Sequence, residues 1–301
     1  MLERIADGAP RSWPHADAWV RRMRRWAARA ERILVLSPSP IPRVEALLGL
    51  GADRCVVSPN GFDPDRFAPR PVDRAALWHE HLVAHPRGWR PGEPEGSVAY
   101  TDAQIARLAA APVLVAVGRF TAVKRTGLLV RAFARARHTT PEPASLVLLG
   151  GHPGEWEGEH PCQAIAASGA TDVFLAGWHE HDTLPAFLNA SDAVVLASVR
   201  EQFGLVLVEG MACGLPAIAV DRFGPAEIVD DGRTGWLVEP DDEAALARAL
   251  CEAIDDAGER ARRGAAARET ALARWSWPAV ADRLGGVLAE VAGAAAQTAP
   301  R

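Results

Sequence analysis

The feature that most constrains this chain is a succession of short apolar runs at 112–117, 145–149, 172–175, 193–197 and 217–220, each separated from the next by a segment of helical pattern. The runs are almost continuous Val, Leu, Ile and Ala, without the polar alternation of a strand that has one face in water. Such strands are buried on both faces, and strands joined through helices at 127–137, 162–168 and 183–190 and through the helix that follows the loop at Glu201 run parallel. The expected class is therefore α/β, a doubly wound parallel sheet covered by helices. Sheets of this kind bind ligands at the carboxyl ends of their strands. Three of those ends carry candidate residues: Gly118-Arg119, Gly150-Gly151-His152 and Glu201.

The flanking regions are less regular. Residues 15–31 place Trp19, Met23 and Trp26 on one face of a helix with arginines opposite. Strands are expected at 33–36 and 54–57, and 58–63 is a turn-rich linker taken as a domain boundary. Two strands and two helices before it are too few to bury a core alone. Residues 70–101, with Pro71, Pro86, Pro91 and Pro94 around a short helix at 75–83, read as a surface excursion. After 220 a short helix is expected at 225–229. From Asp241 onward the chain reads as helical, with segments at 260–274 and 277–291.

Composition narrows the partners. In 301 residues, 33 basic against 38 acidic side chains give a net charge of -5 with no long block of either sign, which argues against nucleic acid as partner. Peripheral membrane contact is left open. Cys55, Cys162, Cys213 and Cys251 are scattered without a C-x-x-C pair, so neither a disulfide framework nor a zinc site is indicated, and a reducing cytoplasmic location is expected. No apolar run reaches membrane-spanning length, and the N-terminus lacks the apolar stretch of a signal peptide.

The chemistry concentrates in Glu201-Gln-Phe-Gly-Leu-Val-Leu-Val-Glu209, which follows a buried strand and opens a helix closed by Gly214 and Pro216. The first amides of a helix have no internal partner, so those of Phe203, Gly204 and Leu205 are available to an anion. A surface Glu near a helix start is ordinarily only a dipole partner. Here the helix is apolar from Leu205 to Val208, so Glu209 is a charge on an element that should be buried, which is costly unless something pairs with it. Phosphate on the amides and hydroxyls on the carboxylates describe a ligand that is part phosphate, part polyol.

A second motif is Val117-Gly-Arg-Phe-Thr-Ala-Val-Lys-Arg125. Gly118 permits close backbone approach, and Arg119 and Lys124 bring two cations to one loop, suited to a diphosphate. Lys124 is the only lysine in the chain. A solvated basic loop is the plain alternative. The Walker pattern is absent, as are G-x-S-x-G and the H-E-x-x-H spacing. His152, His160, His179 and His181 with Glu155, Glu157, Glu159 and Glu180 therefore read as a solvated acid-rich stretch, not a metal site. Glu227 either faces the same site or supports its helix.

Together these residues resemble the retaining, nucleotide-sugar-dependent glycosyltransferases of family 4, which have the GT-B architecture. The resemblance covers roughly residues 55–290. It is carried by Pro59-Asn-Gly-Phe-Asp63 with Phe67, Gly118-Arg119 with Lys124, Glu201 with Glu209, Met211-Ala-Cys-Gly-Leu-Pro216, and Glu227 through Gly235. It implies a Rossmann-like donor-binding domain (59–275), a C-terminal crossover helix (276–301) and, at 1–58, a remnant of an acceptor-side domain that is otherwise absent. By the same resemblance Glu209 binds the donor ribose and Glu201, Arg119 and Lys124 are the catalytic set. Gly118, Phe203, Gly204 and Leu205 line the donor, with the base near Gly177-Trp178-His179. Beyond the nucleoside-diphosphate sugar no cofactor is implied, and usually no metal. The expected acceptor is a sugar, a lipid-linked group or a small molecule. Two alternatives stand beside transfer: a non-catalytic nucleotide-sugar-binding unit that needs a partner chain with an acceptor domain, and an epimerase or hydrolase of the same architecture.

Overall fold

The computed structural model describes residues 15–51 and 53–298. They fall into two compact units, one formed by the chain up to Asn60 together with residues from Pro278 onward, the other by Gly61–Trp277. In the first, helices α1 (Ala16–Arg29) and α2 (Ile41–Leu48) accompany strands β1 (Ile33–Val35) and β2 (Cys55–Val57), which pair in parallel with Ile33 opposite Cys55.

The second unit opens with α3 (Arg74–His79), which runs directly into one π-helical stretch at Glu80–Ala84, and α4 (Asp102–Ala110). Then come β3 (Val113–Val117), α5 (Thr126–Thr139), β4 (Ser145–Leu149), α6 (Pro161–Ser168), β5 (Val173–Gly177) and α7 (Leu184–Asn189). They are followed by β6 (Ala193–Leu196), α8 (Leu205–Ala212), β7 (Ala217–Val220), α9 (Gly224–Ile228), β8 (Gly235–Val238), α10 (Glu243–Asp255) and α11 (Ala257–Trp275). A final helix, α12 (Trp277–Thr298), leads out of this unit.

The six strands form one parallel sheet in the order β5-β4-β3-β6-β7-β8. Both faces are covered, as the apolar runs require. Val113, Val115 and Val147 belong to one core with Trp78, Phe187, Leu207, Met211 and Trp275. Leu114, Leu146 and Leu148, on the opposite face, belong to another with Leu129, Phe133 and Leu250. Asp192 ties the middle of the sheet to its surroundings, its Oδ2 accepting from the Val113 amide (2.7 Å) and from Arg74 (2.9 Å).

Two regions differ from the sequence expectation. Residues 70–101 are not a surface excursion: Trp78, Leu82 and Trp89 are almost wholly buried. The segment covers β5, a strand at the edge of the sheet that would otherwise expose unpaired backbone groups. The hydroxyl of Tyr100 accepts from the Leu175 amide at 2.7 Å, and Gly88 bridges to Val98 beside it. The prolines that suggest a loop here shape an irregular cover for an edge. Residues 102–110 form α4, started by a reciprocal capping box between Thr101 and Gln104. Likewise, the edge strand β8 at 235–238 has no counterpart in the sequence reading, a run short enough to be hidden by the turn residues before it.

Candidate donor-binding site

The strand order puts the topological switch point between β3 and β6, since the chain leaves β3 outward through β4 to β5 and leaves β6 the other way through β7 to β8. A crevice opens where neighbouring crossovers diverge, which is where open α/β sheets take ligands. The loop after β3 carries Gly118, Arg119 and Lys124, and the loop after β6 carries Glu201.

After β3, the chain makes a single 3-10 turn at Ala122–Lys124. The turn is fixed from β6's side, because the Val199 amide and the Ser198 hydroxyl both donate to the Val123 carbonyl, at 3.0 and 3.2 Å. Lys124 Nζ then reaches Glu201 Oε2 at 2.5 Å, both side chains partly buried. Arg119 is exposed and takes part in no ion pair among the described residues. The β4 end must approach closely. At Gly150, with φ +119°, a Cβ would lie 2.3 Å from the Gly118 carbonyl oxygen, so only glycine allows the two strand ends to touch.

Gly204 starts α8 in the left-handed region (φ +99°), and Phe203 before it is buried. The amides of Phe203, Gly204 and Leu205 donate to no protein acceptor among the described residues. The site residues named from the sequence thus lie on two adjacent loops, with Glu209 further along α8.

Glu209 sits between buried Val208 and Gly210 and is itself only 3% exposed. Burial pushes its carboxyl above the usual carboxylate range, opposed by a hydrogen bond to His181 Nε2 at 2.6 Å. His181 belongs to the loop after β5, as does His179. Burial holds His179 down to about 4 and hence neutral, with its Nε2 3.0 Å from the Ala176 carbonyl. The loops after β3, β4 and β5 enclose a cavity of about 340 Å³ lined by Gly118, Arg119, Gly150, Gly151, Trp178 and His181. The Trp178 ring stacks on His152 at 4.7 Å between centroids. From the other side, Arg87 fixes this wall by donating to the Trp178 carbonyl at 3.2 Å.

His181 was hidden in the acid-rich stretch at 155–181. What could have singled it out is its place after the end of a buried strand, the criterion that selected Glu201. Among the described residues no three His, Cys, Asp or Glu side chains gather to hold a metal ion, and no helix is long and apolar enough to cross a membrane.

A six-stranded parallel sheet covered by helices, with two carboxylates, two cations and free amides on the loops and helix near its switch point, has the α/β architecture found in GT-B glycosyltransferases. The model of the family "Glycosyl transferases group 1" matches residues 102–270, and the chain belongs to that family. It is 33% identical over 241 residues to the D-inositol 3-phosphate glycosyltransferase of Stackebrandtia nassauensis, covering 77% of this chain and 48% of that protein. To the GDP-mannose-dependent alpha-(1-6)-phosphatidylinositol monomannoside mannosyltransferase of Mycolicibacterium smegmatis it is 28% identical, over 76% of this chain and 55% of the relative. The chain spans about half the length of the curated relatives it matches. Among solved structures, Anabaena HepE in complex with UDP and glucose superposes with a TM-score of 0.70 at 23% identity, over 90% of this chain and 66% of the other. Sucrose-phosphate synthase from Thermosynechococcus elongatus gives 0.67 at 26% identity, over 91% and 62%.

Proposed function

We propose that the unit 61–277 binds a nucleoside-diphosphate sugar and that the protein transfers the sugar to a hydroxyl acceptor with retention of anomeric configuration. One observation carries this reading: a carboxylate, Glu209, is buried in an apolar helix whose first amides are unclaimed, beside a loop that supplies two cations. Its protein partner, the His181 imidazole, leaves acceptor positions on the carboxylate for the hydroxyls of a ligand. In this reading Glu209 accepts from the ribose hydroxyls, and Arg119 and Lys124 hold the diphosphate. Phosphate and sugar oxygens take the amides of Phe203, Gly204 and Leu205, against Gly118. Glu201 meets the hydroxyls of the transferred sugar, and the base lies in the cavity against Trp178.

Transfer then needs no protein nucleophile. The bond from the anomeric carbon to the diphosphate oxygen breaks, and the acceptor oxygen bonds to that carbon on the same face. The acceptor proton passes to a phosphate oxygen of the leaving group. Arg119 and Lys124 stabilise the charge that accumulates there, an electrostatic contribution that a preorganised site makes without reorganisation. The names of the relatives, an inositol phosphate and a phosphatidylinositol mannoside among their acceptors, support a polyol or lipid-linked polyol as acceptor class.

The test is calorimetric binding of UDP and GDP, followed by incubation with the corresponding sugar nucleotides and an inositol phosphate. The anomeric configuration of any product is then read by NMR. A second reading is favoured by the placement of the candidate residues within the unit 61–277: this unit binds the nucleotide sugar without transferring it by itself. Tight nucleotide binding without transfer by the purified chain supports this second reading. Absence of nucleotide binding refutes both.

A further inference from the structure

The geometry points to a residue that neither motif contains: we propose that His181 is a positioning residue, pinning one oxygen of Glu209 so that the other is presented to a donor hydroxyl. This inference rests on the reading of Glu209 as a hydroxyl acceptor. The side chain of Glu209 is 4% exposed and that of His181 is 54% exposed, so the pair straddles the boundary between core and cavity. His181 lines the cavity, and Glu209, which does not, is joined to its wall by the 2.6 Å hydrogen bond to Oε1. A carboxylate has about four acceptor positions on its two oxygens, so one imidazole N–H leaves Oε2 and part of Oε1 for a ligand. The imidazole is itself held, its ring 5.3 Å from that of Phe67.

Among the described residues no other side chain makes a hydrogen bond or ion pair with the Glu209 carboxylate. Arg66 is the other cation that lowers the Glu209 carboxyl, but it is engaged in an ion pair with Asp182, next to His181. Cys213, at the C-terminal end of α8, is a thiol pushed up to about 12 by burial and by Glu209, and is therefore neutral. Arg268, from α11, is spent on the Ala212 carbonyl, and Glu180 in the His181 loop is of the wrong sign. Without His181 the carboxyl of Glu209 faces its burial with only distant compensation and is free to rotate or take up a proton.

The test uses the intact chain in two arms. In ligand-free protein the Glu209 side-chain carboxyl is titrated by carbon-13 NMR, in wild type and in His181→Ala. In the second arm, UDP and GDP affinities are measured between pH 6 and pH 8 for both proteins and for His181→Gln, which keeps a donor but carries no charge. The expected result is an upward shift of the Glu209 titration in His181→Ala. Nucleotide binding should weaken about tenfold at pH 7, the scale of one hydrogen bond to a charged group, and further toward pH 6. His181→Gln should recover part of the affinity at pH 8. A Glu209 titration and a nucleotide pH profile that are both unchanged in His181→Ala overturn the proposal. A shifted titration in a protein that binds neither nucleotide even as wild type supports the pinning of Glu209 and overturns the nucleotide reading beneath it.

Discussion

Replacing Glu209 by glutamine separates the cost of this site from its use. The substitution keeps the shape of the side chain and removes its charge at a place that is 3% exposed. Two terms compete for stability. The native pair loses its charge-assisted hydrogen bond to His181, and the protein no longer has to bury a carboxylate. Breaking a buried ion pair is expensive when it strands a charge inside, but His181 is 54% exposed and returns to water. Relief of burial should therefore win or balance, leaving Glu209→Gln between unchanged and about 2 kcal/mol more stable than wild type.

The sign with pH follows from linkage. The folded-state carboxyl titrates above its ordinary value of 4.5, so the folded state binds the proton more tightly than the unfolded chain. Stability contributed by this group is present below 4.5 and is lost as pH rises through the folded value. The advantage of Glu209→Gln should open from about pH 4.5 upward and then level off, as read by urea denaturation across that range. Binding should move the other way. A hydrogen bond to a charged group contributes about 1.5–3 kcal/mol, so UDP or GDP affinity measured by calorimetry should fall about 10- to 150-fold. A variant that binds nucleotide like the parent, or that loses more than about 2 kcal/mol of stability, refutes the argument.

The remaining expectations concern the loops and the edge of the sheet. Lys124→Met should weaken UDP and GDP about tenfold, the scale of one charge-assisted contact to the diphosphate; affinity like that of wild type removes Lys124 from the diphosphate. Gly150→Ala places a Cβ 2.3 Å from the Gly118 carbonyl oxygen at φ +119°. It should lower stability by about 1–3 kcal/mol through backbone strain alone and weaken nucleotide binding as the two loops part. A thermal midpoint and affinity like those of wild type would exclude that close approach. Tyr100→Phe leaves the Leu175 amide without its 2.7 Å acceptor at the edge of the sheet, at a cost of about 1–3 kcal/mol. Unaltered denaturant unfolding there would show that the 70–101 segment does not hold that edge.

Much of the framework was legible from one-dimensional pattern. The runs at 113–117 and 145–149 are buried strands because nothing polar interrupts them, and Gly118, Glu201 and Glu209 are conspicuous because they break apolar stretches at the ends or interiors of such elements. These are local signals, set by the periodicity of strand and helix and by the expense of burying a charge. Strand order is not local. That β3 lies beside β6, so that Lys124 meets Glu201 across 77 positions, depends on which way each crossover turns. No short window of residues encodes that choice. The pairing of His181 with Glu209 has the same origin, since each residue taken singly fits an acid-rich loop or a helix start. The prolines of 70–101 likewise signal an interrupted backbone without saying that it covers β5. The sequence by itself determined a parallel sheet with chemistry at its strand ends, because burial imposes its pattern residue by residue. Only the tertiary structure decided which ends share a crevice and which partner each charge finds there, because those contacts are chosen by the packing of the whole sheet.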